Sequence, residues 1–481
     1  MSFVGLYTGL TAIRAAQMGI DVAGNNVANA ATPGYTRQRM EVVAREPYQS
    51  GNSMVGTGVD ISTIGRLRDG FLDARFRSSV ADYASSTVRA DLLGRLEQLT
   101  GEPDQGISSR IGRLWDAAES WANNPADPAT RRQVLSELAS VTDSIRSTAG
   151  AWSALEADVI SRRDTQLDMV NKTLESLATL DQRIAAADPK RVGPDLLDQR
   201  DVLLDEIAQL TGADVRIDAD GRALVTLPAA DGTPVDLLNT GVRSKLAHDP
   251  VDGGLHVIAV DTPAGDAATG PSVAVGGEVG GLQKVLTEDI PTWRAELNSF
   301  AETLAATINV ANAAGGAVDG TGSKTGVPLL EFDPTDPAGT VKIIAGIGVA
   351  DLAAGVEPTD LTQPPAQHDG TNARAFADLR LLKVAADGTP DPDGQSLEVR
   401  LADLVVGLAA EVRASKATAD GARAVSVGAD LARVSEHGVS LDEEMVGLVR
   451  YQRSLEAASR VMTTVDQALD VLVNRTGIVG R

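Results

Sequence analysis

The sequence predicts an α+β multidomain chain, mainly α, with terminal coiled-coil helices, a central helical bundle and β-rich insertions. Three observations carry that reading. Apolar residues recur at alternating spacings of three and four at both ends, the interval from about Arg66 to Thr211 keeps a helical period, and two later intervals change to short alternating runs separated by Gly, Pro and Asp. A chain of 481 residues is long enough for about two to four domains.

The first unit expected is 1–45, a helix followed by a loop. Phe3, Leu6, Leu10, Ile13, Gln17, Ile20, Gly24 and Val27 repeat at coiled-coil spacing. Gly5, Gly9, Ala12, Ala16, Gly19 and Ala23 lie on or beside that face and are small enough to admit a second backbone closely. A helix so rich in glycine is marginal alone and needs a partner. The run Asn25-Asn26-Val27-Ala28-Asn29-Ala30-Ala31-Thr32-Pro33-Gly34-Tyr35 ends it, because Pro33 pushes Thr32 out of the helical region and a Gly follows. Residues 46–84 read as an extended connector, on Gly51, Gly56, Gly58 and the strand-like Val59-Asp60-Ile61.

Residues 85–212 read as the helical bundle. One apolar stripe is Leu92, Leu93, Leu96 and Leu99; a second is Ile107, Ile111, Leu114, Ala118 and Trp121; a third runs from Val159 to Ile184. Asp195-Leu196-Leu197-Asp198-Gln199-Arg200-Asp201 opens a further helix that stops at Thr211-Gly212, and long helices joined by short turns imply a bundle. At 213–278 the period changes: Val215-Arg216-Ile217-Asp218 alternates, Asp218-Ala219-Asp220-Gly221 is a turn, and Ala223 to Leu227 reads as the return strand of a small β-rich insertion. Residues 279–314 form a helix of the bundle, 315–395 a second β- and loop-rich insertion, and 396–435 a helix returning through the bundle. The last unit, 436–481, is again a seam-type helix with Leu441, Met445, Leu448, Gln452, Leu455, Ser459 and Met462, and less regularly Leu469 and Val473. The two terminal helices, 1–45 and 436–481, are expected to pair with each other or with copies of themselves.

Composition narrows the function. Lys and Arg total 43 against 66 acidic residues, a net charge of −23, which repels phosphate backbones and makes nucleic acid an unexpected partner. The aromatic residues are four Trp, five Tyr and six Phe, too few for base- or sugar-stacking platforms. The absence of Cys removes thiolate metal sites, thiol nucleophiles and disulfides. His248, His256, His368 and His437 are the only histidines, and no pair has the spacing of a metal-binding helix. No cleavable signal is expected at the N-terminus and no membrane insertion, since no stretch approaches the length of uncharged apolar residues a span requires.

Each chemical motif has a simpler structural explanation. Gly322-Ser323-Lys324-Thr325 departs from a phosphate loop by one intervening residue and reads as a flexible tip. Asp218-Ala219-Asp220-Gly221 and Asp391-Pro392-Asp393-Gly394 lack the later ligands of a calcium loop and read as turns. Asp198, Asp201 and Asp205 fall on one face of their helix and read as a solvated stripe. Trp115, Trp121, Trp152 and Trp293 sit in helical segments and read as core. No catalytic residue, cofactor or metal is expected.

The terminal segments carry a resemblance. The run from Gly24 through Asn25, Asn26, Asn29, Thr32, Pro33 and Gly34 to Tyr35 resembles the signature of the bacterial flagellar rod, hook and hook-associated proteins. Val439-Ser440-Leu441-Asp442-Glu443-Glu444-Met445, with Tyr451-Gln452 and Val461-Met462-Thr463-Thr464-Val465-Asp466, resembles the matching C-terminal signature. In the middle, Asp195 to Asp201 and Asp369-Gly370-Thr371-Asn372-Ala373 resemble the hook-associated members that join hook to filament. The resemblance implies a non-enzymatic role, in which a self-associated layer of subunits caps the hook protein and receives the second hook–filament junction protein and the flagellin filament. It also implies synthesis in the cytoplasm, export through the flagellar type III apparatus without a cleaved signal, an extracellular site at the hook–filament junction, and an export chaperone on the C-terminal helix.

The subunit-interaction candidates are therefore Phe3, Leu6, Leu10, Ile13, Ile20, Asn25, Asn26, Asn29, Thr32, Pro33, Gly34 and Tyr35 at one end. At the other, Leu441, Met445, Leu448, Gln452, Leu455, Met462 and Leu469 are the candidates for subunit or chaperone contact. Another axial protein, hook or distal rod, would share the terminal signatures, but the long helical block at 85–211 argues against it. A secreted hydrolase or adhesin on a coiled-coil stalk would need a convergent site, and the sequence offers none.

Overall fold

The computed structural model describes residues 4–50, 52–187, 192–260, 270–318, 323–356 and 369–471. The chain folds as two compact units, and three long helices contribute residues to both. One unit comprises Met1–Asp82, Asp168–Gly277 and Arg423–Arg481, the other Tyr83–Leu167 and Glu278–Ala422.

The first unit begins with α1 (Val4–Ala28). Next comes a two-stranded antiparallel ribbon, β1 (Gln38–Ala44) with β4 (Val59–Arg66), whose register shifts once between Glu41 and Val42. The short hairpin β2 (Tyr48–Ser50) and β3 (Ser53–Val55) lies between those two strands in the chain. The connector expected over 46–84 is thus part ribbon and part helix, since α2 (Gly70–Gln98) already starts at Gly70. That helix reads poorly as amphipathic because Arg75, Arg77 and Asp73 interrupt its apolar positions.

The later segments of α4 (Pro128–Ala186) and all of α5 (Pro194–Thr211) complete the helical part of this unit. Pro194 opens α5, where its missing N–H costs nothing, and Gly212 closes it in the left-handed conformation at φ 67°. The insertion that follows is a four-stranded antiparallel meander, β5 (Asp214–Ile217), β6 (Ala223–Pro228), β7 (Pro234–Asn239) and β8 (Val242–Arg243), then a hairpin of β9 (Lys245–His248) and β10 (Leu255–Ile258). Alternation along β6 buries Ala223, Val225 and Leu227. The strands are fastened to α4 by side chains rather than by apolar contact alone. Asn171 donates to the Leu246 carbonyl and accepts from its N–H, both at 2.9 Å, and Asp181 accepts from the Ala223 N–H at 3.2 Å.

The second unit holds the large apolar core. It takes the rest of α2, then α3 (Ile107–Asn123), the first part of α4, α6 (Gly277–Lys284) from Glu278 on, a single π-helical turn at Val285–Asp289, α7 (Ile290–Ala313), α9 (Thr371–Asp378) and α10 (Leu397–His437) up to Ala422. Between α7 and α9 lie α8 (Pro337–Thr340) and the short strands β11 (Gly315–Val318) to β15 (Gly355–Val356). As the sequence reading holds, Trp115, Trp121 and Trp152 are buried and Trp293 packs against the same core. The Trp152 Nε1–H donates to the Leu96 carbonyl at 3.1 Å, and Trp121 meets Phe376 edge-on with centroids 5.7 Å apart.

Three buried or half-buried asparagines hold the loop-rich insertion to α7. Asn309 accepts from the N–H groups of Leu329 and Leu330 and donates to the Leu330 carbonyl, while Asn312 reaches Val327, Asp351 and Ala353. Asn372 donates to the carbonyls of Ala311 and Ala353. Such bonds substitute for the regular ladder that a short-stranded loop region cannot build. Among the described residues no helix is long and apolar enough to cross a membrane.

Trp121 is fully buried against Phe376, so Trp121→Ala leaves a cavity and a lost aromatic contact. It should lower the stability of the second unit by about 3–5 kcal/mol. Urea unfolding followed by far-UV circular dichroism checks this, and an unshifted midpoint would count against that core.

Candidate functional site

The two ends of the chain meet in an antiparallel pair, α1 against α11 (Leu441–Asp470). The glycines show how close the pairing is. A Cβ built on Gly5 would stand 3.3 Å from Val465 Cγ2, one on Gly9 2.8 Å from Met462 Sδ, and one on Gly19 2.6 Å from the Tyr451 ring. The close-packed line on α1 is therefore Gly5, Gly9, Ala12, Ala16, Gly19, Ala23 and Asn26, at spacings of four and three. On α11 the facing line is Glu444, Leu448, Tyr451, Leu455, Ala458, Met462 and Val465.

This shifts the expected seam by one position. Leu6, Leu10, Ile13 and Ile20 are half-buried beside the small-residue line, and Gln17 and Gly24 are exposed. On α11, Leu448, Leu455 and Met462 are half-buried and belong to both the expected seam and the contact line, and Leu469 is half-buried beyond it, whereas Gln452 and Ser459 are exposed and Leu441 and Met445 are each 52% exposed. Phe3 lies outside the described residues. Close approach selects the smallest side chains, not the most apolar, so the contact line follows Gly and Ala.

The loop after α1 is built around Asn26, which is 1% exposed and uses its whole amide. Its Nδ2 donates to the Gln38 carbonyl at 2.9 Å and to Glu444 Oε2 at 3.0 Å. Its Oδ1 accepts from the Tyr35 hydroxyl at 2.8 Å and from the Gln38 N–H at 3.0 Å. Asn25 Nδ2 reaches the same hydroxyl at 3.2 Å, Asn29 turns back on Asn25, and Thr32 donates to Asn29. Gly34 has φ +78°, and a Cβ there would meet Val202 Cγ2 at 2.3 Å, so no other residue fits without displacement. Pro33 is exposed at the tip. Burial first, and then the carboxylates of Asp198, Asp195 and Glu444, push the Tyr35 phenol up to about 12 and keep it a hydrogen-bond donor.

Acidic side chains of α5 come next, and here the expectation of a solvated stripe is overturned. Asp198 and Asp201 are buried, and with half-buried Asp205 they meet four arginines from distant parts of the sequence. Arg66 bonds Asp198 at 2.8 Å and Asp201 at 2.6 Å; Arg68 bonds Asp73 at 2.5 Å and Asp201 at 2.6 Å; Arg77 and Arg433 both hold Asp205, at 2.7 and 2.6 Å. Asp198 also accepts the Thr36 N–H at 3.2 Å, and Arg37 spans Glu443 and Glu444 at 2.6 and 2.7 Å. Arg433 further stacks over Phe76 at 3.5 Å. The network links the signature loop, the ribbon, α2, α5, α10 and α11 within this unit. A cavity of about 220 Å³ opens beside it, lined by Thr32, Tyr35, Arg68, Asp205, Val434 and His437 among others.

The remaining motifs stay structural. Ser323–Thr325 is a short strand, β12, and Gly322 lies outside the described residues. Asp218 accepts the N–H groups of Asp220 and Arg222, closing the β5–β6 turn, and Asp391 accepts that of Asp393. One cluster the His spacing did not reveal is Asp249, Asp252 and His256, with ligand-type atoms all within 4.8 Å of one another. The His256 ring is already engaged on both sides, Nδ1 with the Gly270 carbonyl at 2.9 Å and Nε2 with Asp252 at 2.8 Å. Burial opposes charge on this ring, but the Gly270 carbonyl and the carboxylates of Asp252 and Asp249 outweigh it and raise its pKa above the ordinary value. The cluster reads as an ion pair that ties a hairpin.

Comparison with known proteins finds three family models that match the chain. The family model for the helical domain of the flagellar hook-associated protein FlgK matches residues 93–329, that for the flagella basal body rod protein matches 6–36, and that for the C-terminal part of the FlgEFG rod proteins matches 433–475. The chain resembles the FlgK flagellar hook-associated proteins in its helical domain and the flagellar rod proteins at both ends. The two rod-type matches fall on α1 with its loop and on α11, the pair described above. Flagellar hook-associated protein 1 of Bacillus subtilis is 27% identical and aligns over 100% of this chain and 99% of its own length. The protein of that name from Salmonella typhimurium is 23% identical over 70% of this chain, and the alignment spans 62% of its length, less than two thirds. The solved structure of the flagellar hook junction protein FlgK from Burkholderia pseudomallei shares the fold with a TM-score of 0.61 at 15% identity, covering 76% of this chain and 100% of that one.

Asn26→Ala strands the Gln38 backbone, the Tyr35 hydroxyl and Glu444 in a buried place, and should destabilise the α1–α11 pair by about 2–4 kcal/mol. Hydrogen exchange along α1 reads this, and unchanged protection would refute the role given to Asn26. The His256 pair adds stability that is full below about pH 6.5, the free imidazole value, and is lost as pH rises through the raised one. Exchange in 245–258 should therefore quicken with rising pH beyond the intrinsic rate, and His256→Gln should remove that excess.

Proposed function

We propose that this chain is the assembling, non-catalytic subunit that joins flagellar hook to filament. In this reading, copies form a layer on the hook protein, and the second junction protein and the flagellin filament are built on that layer. The chain is made in the cytoplasm, exported through the flagellar type III apparatus without a cleaved signal, and accompanied by an export chaperone bound to the C-terminal helix. The observation that carries the reading is the second apolar line on the terminal pair. Leu441, Met445 and Val449 lie one turn apart on α11, 52, 52 and 43% exposed, alongside the residues that pack on α1.

The energetics fit an assembling surface. Burying such a line against neighbouring copies yields roughly 25 cal/mol per Å² of apolar area, and many contacts of this kind in one layer sum to a stable ring or helix. Leu448 and Leu455 lie in the line that faces α1, so charge at those positions would part the intramolecular pair as well. Leu441 and Met445 are the cleaner probes.

In a strain lacking the gene, electron microscopy should show hooks without filaments, with flagellin lost to the medium. Missing hooks would move the protein to the rod or hook, and normal filaments would refute the reading. Leu441→Asp combined with Met445→Asp should reproduce the filament-less phenotype while the purified protein keeps its helix content and melting temperature. Filaments of normal length on that double variant would remove the exposed line from the assembly surface.

A further inference from the structure

His437 is the last residue of α10, separated by three residues from the start of α11, and it is buried. Its carbonyl accepts the Arg37 N–H at 3.0 Å and its Nε2 lies 2.8 Å from the backbone nitrogen of Asp69. A backbone N–H can only donate, so Nε2 is the acceptor and the ring is neutral, with its proton on Nδ1. That Nδ1 stands 3.8 Å from Asp73 Oδ1, an oxygen that is buried and has no hydrogen-bond partner. The charged groups facing the ring are Arg68 from the approach to α2, Asp73 from α2, and Arg433 and Glu436 from α10; Asp201 and Asp205 of α5 line the adjoining cavity.

We propose that His437 is a proton-operated latch at the joint between α10 and α11. In the neutral form one side chain and one carbonyl bind the start of α2 and the signature loop to that joint. When a proton from solvent binds Nε2, this nitrogen becomes a donor facing the Asp69 N–H donor, and the bond is replaced by repulsion. The cavity of about 220 Å³ gives the imidazolium room to turn toward the unpartnered Asp73 oxygen, and the joint then loses its tie to the start of α2. Burial first, with Arg68 and Arg433 adding to it against the pull of Asp73 and Glu436, holds the ring below the ordinary imidazole range. The sign follows: the tie is intact above about pH 6.5, weakens as pH falls below that value, and is fully lost only below the depressed folded value. The inference concerns the single chain and does not depend on what the terminal helices assemble with.

The test is hydrogen exchange of the full-length protein at pH 7.5 and pH 5.0, corrected for intrinsic rates, on peptides covering 30–37, 69–73 and 434–445. In the wild type, exchange in these segments should rise severalfold at pH 5.0. His437→Gln places an acceptor where Nε2 stands and does not titrate, so it should stay protected at both pH values. A flat wild type, or an equal rise in His437→Gln, overturns the latch. Should the variant fold poorly, imidazole NMR of the wild type decides, since only four histidines are present. One ring must titrate below the free value and carry its neutral proton on Nδ1, and four rings titrating at or above that value would overturn the proposal.

Discussion

A buried amide that must satisfy every one of its hydrogen bonds sets the arrangement of the terminal unit. Asn26 sits where α1, β1 and α11 converge, and its four bonds fix Tyr35, both backbone groups of Gln38, and Glu444 at once. Glu444 is itself buried and needs a cation, which Arg37 supplies. The backbone of Arg37 is pinned by the His437 carbonyl, and its neighbour Thr36 is pinned by Asp198. Asp198 brings in Arg66, which shares Asp201 with Arg68, which in turn holds Asp73. Each buried polar group thus requires the next, because an unpaired member would cost more than the pair yields. The chain of compensation ends only where Arg433 reaches the half-exposed rim.

Two units of similar size are therefore held by different physics. The second is filled by Trp121, Trp152, Phe376 and many leucines; its loops are clamped by neutral asparagines, and charged contacts, such as Arg89 with Asp289 and Glu411, supplement that core. The first unit has a close helix pair of Gly and Ala plus an arginine–carboxylate network, and networks of that type specify one geometry better than they stabilise it. Its integrity depends on the charge states of Glu444, Asp198, Asp201 and His437.

How much of this was legible in the sequence can be judged from single residues. The three-and-four repeat at both ends, the stop at Thr32-Pro33-Gly34, the change of period at Gly212 and the burial of the tryptophans are local signals, and they read correctly because each depends on neighbours in the chain. The seam did not read to the right line. Leu6, Leu10 and Ile13 attract attention as apolar residues, but the contact runs one position away through Gly5, Gly9 and Ala12, where backbone proximity counts. The acidic face of α5 was misread for a different reason: its partners Arg66, Arg77 and Arg433 are 128 to 228 residues away, and nothing local distinguishes a paired carboxylate from a solvated one. One hint was present, since Asp198 and Asp201 alternate with leucines on a short helix that must bury both of its sides.

Under the proposed role, the one-position offset lets a single helix serve both fold and assembly. One residue turns an α-helix by about 100°, so adjacent heptad lines point in clearly different directions yet share a border. On α11, Leu448, Leu455 and Met462 are half-buried on the outer edge of the contact line that Tyr451 and Ala458 complete against α1, and beyond them Leu441, Met445 and Gln452 face outward. If α1 as well as α11 brought large side chains to the contact, the helices would stand further apart and the contact would spread over the outer line. Using Gly and Ala on α1 lets the backbones approach until a narrow line suffices. The wider line remains outside, close to the rigid Asn26 knot that fixes its orientation. The proposed assembling face would need that combination, apolar area held at a defined angle, and the angle comes from hydrogen bonds rather than from the apolar residues themselves.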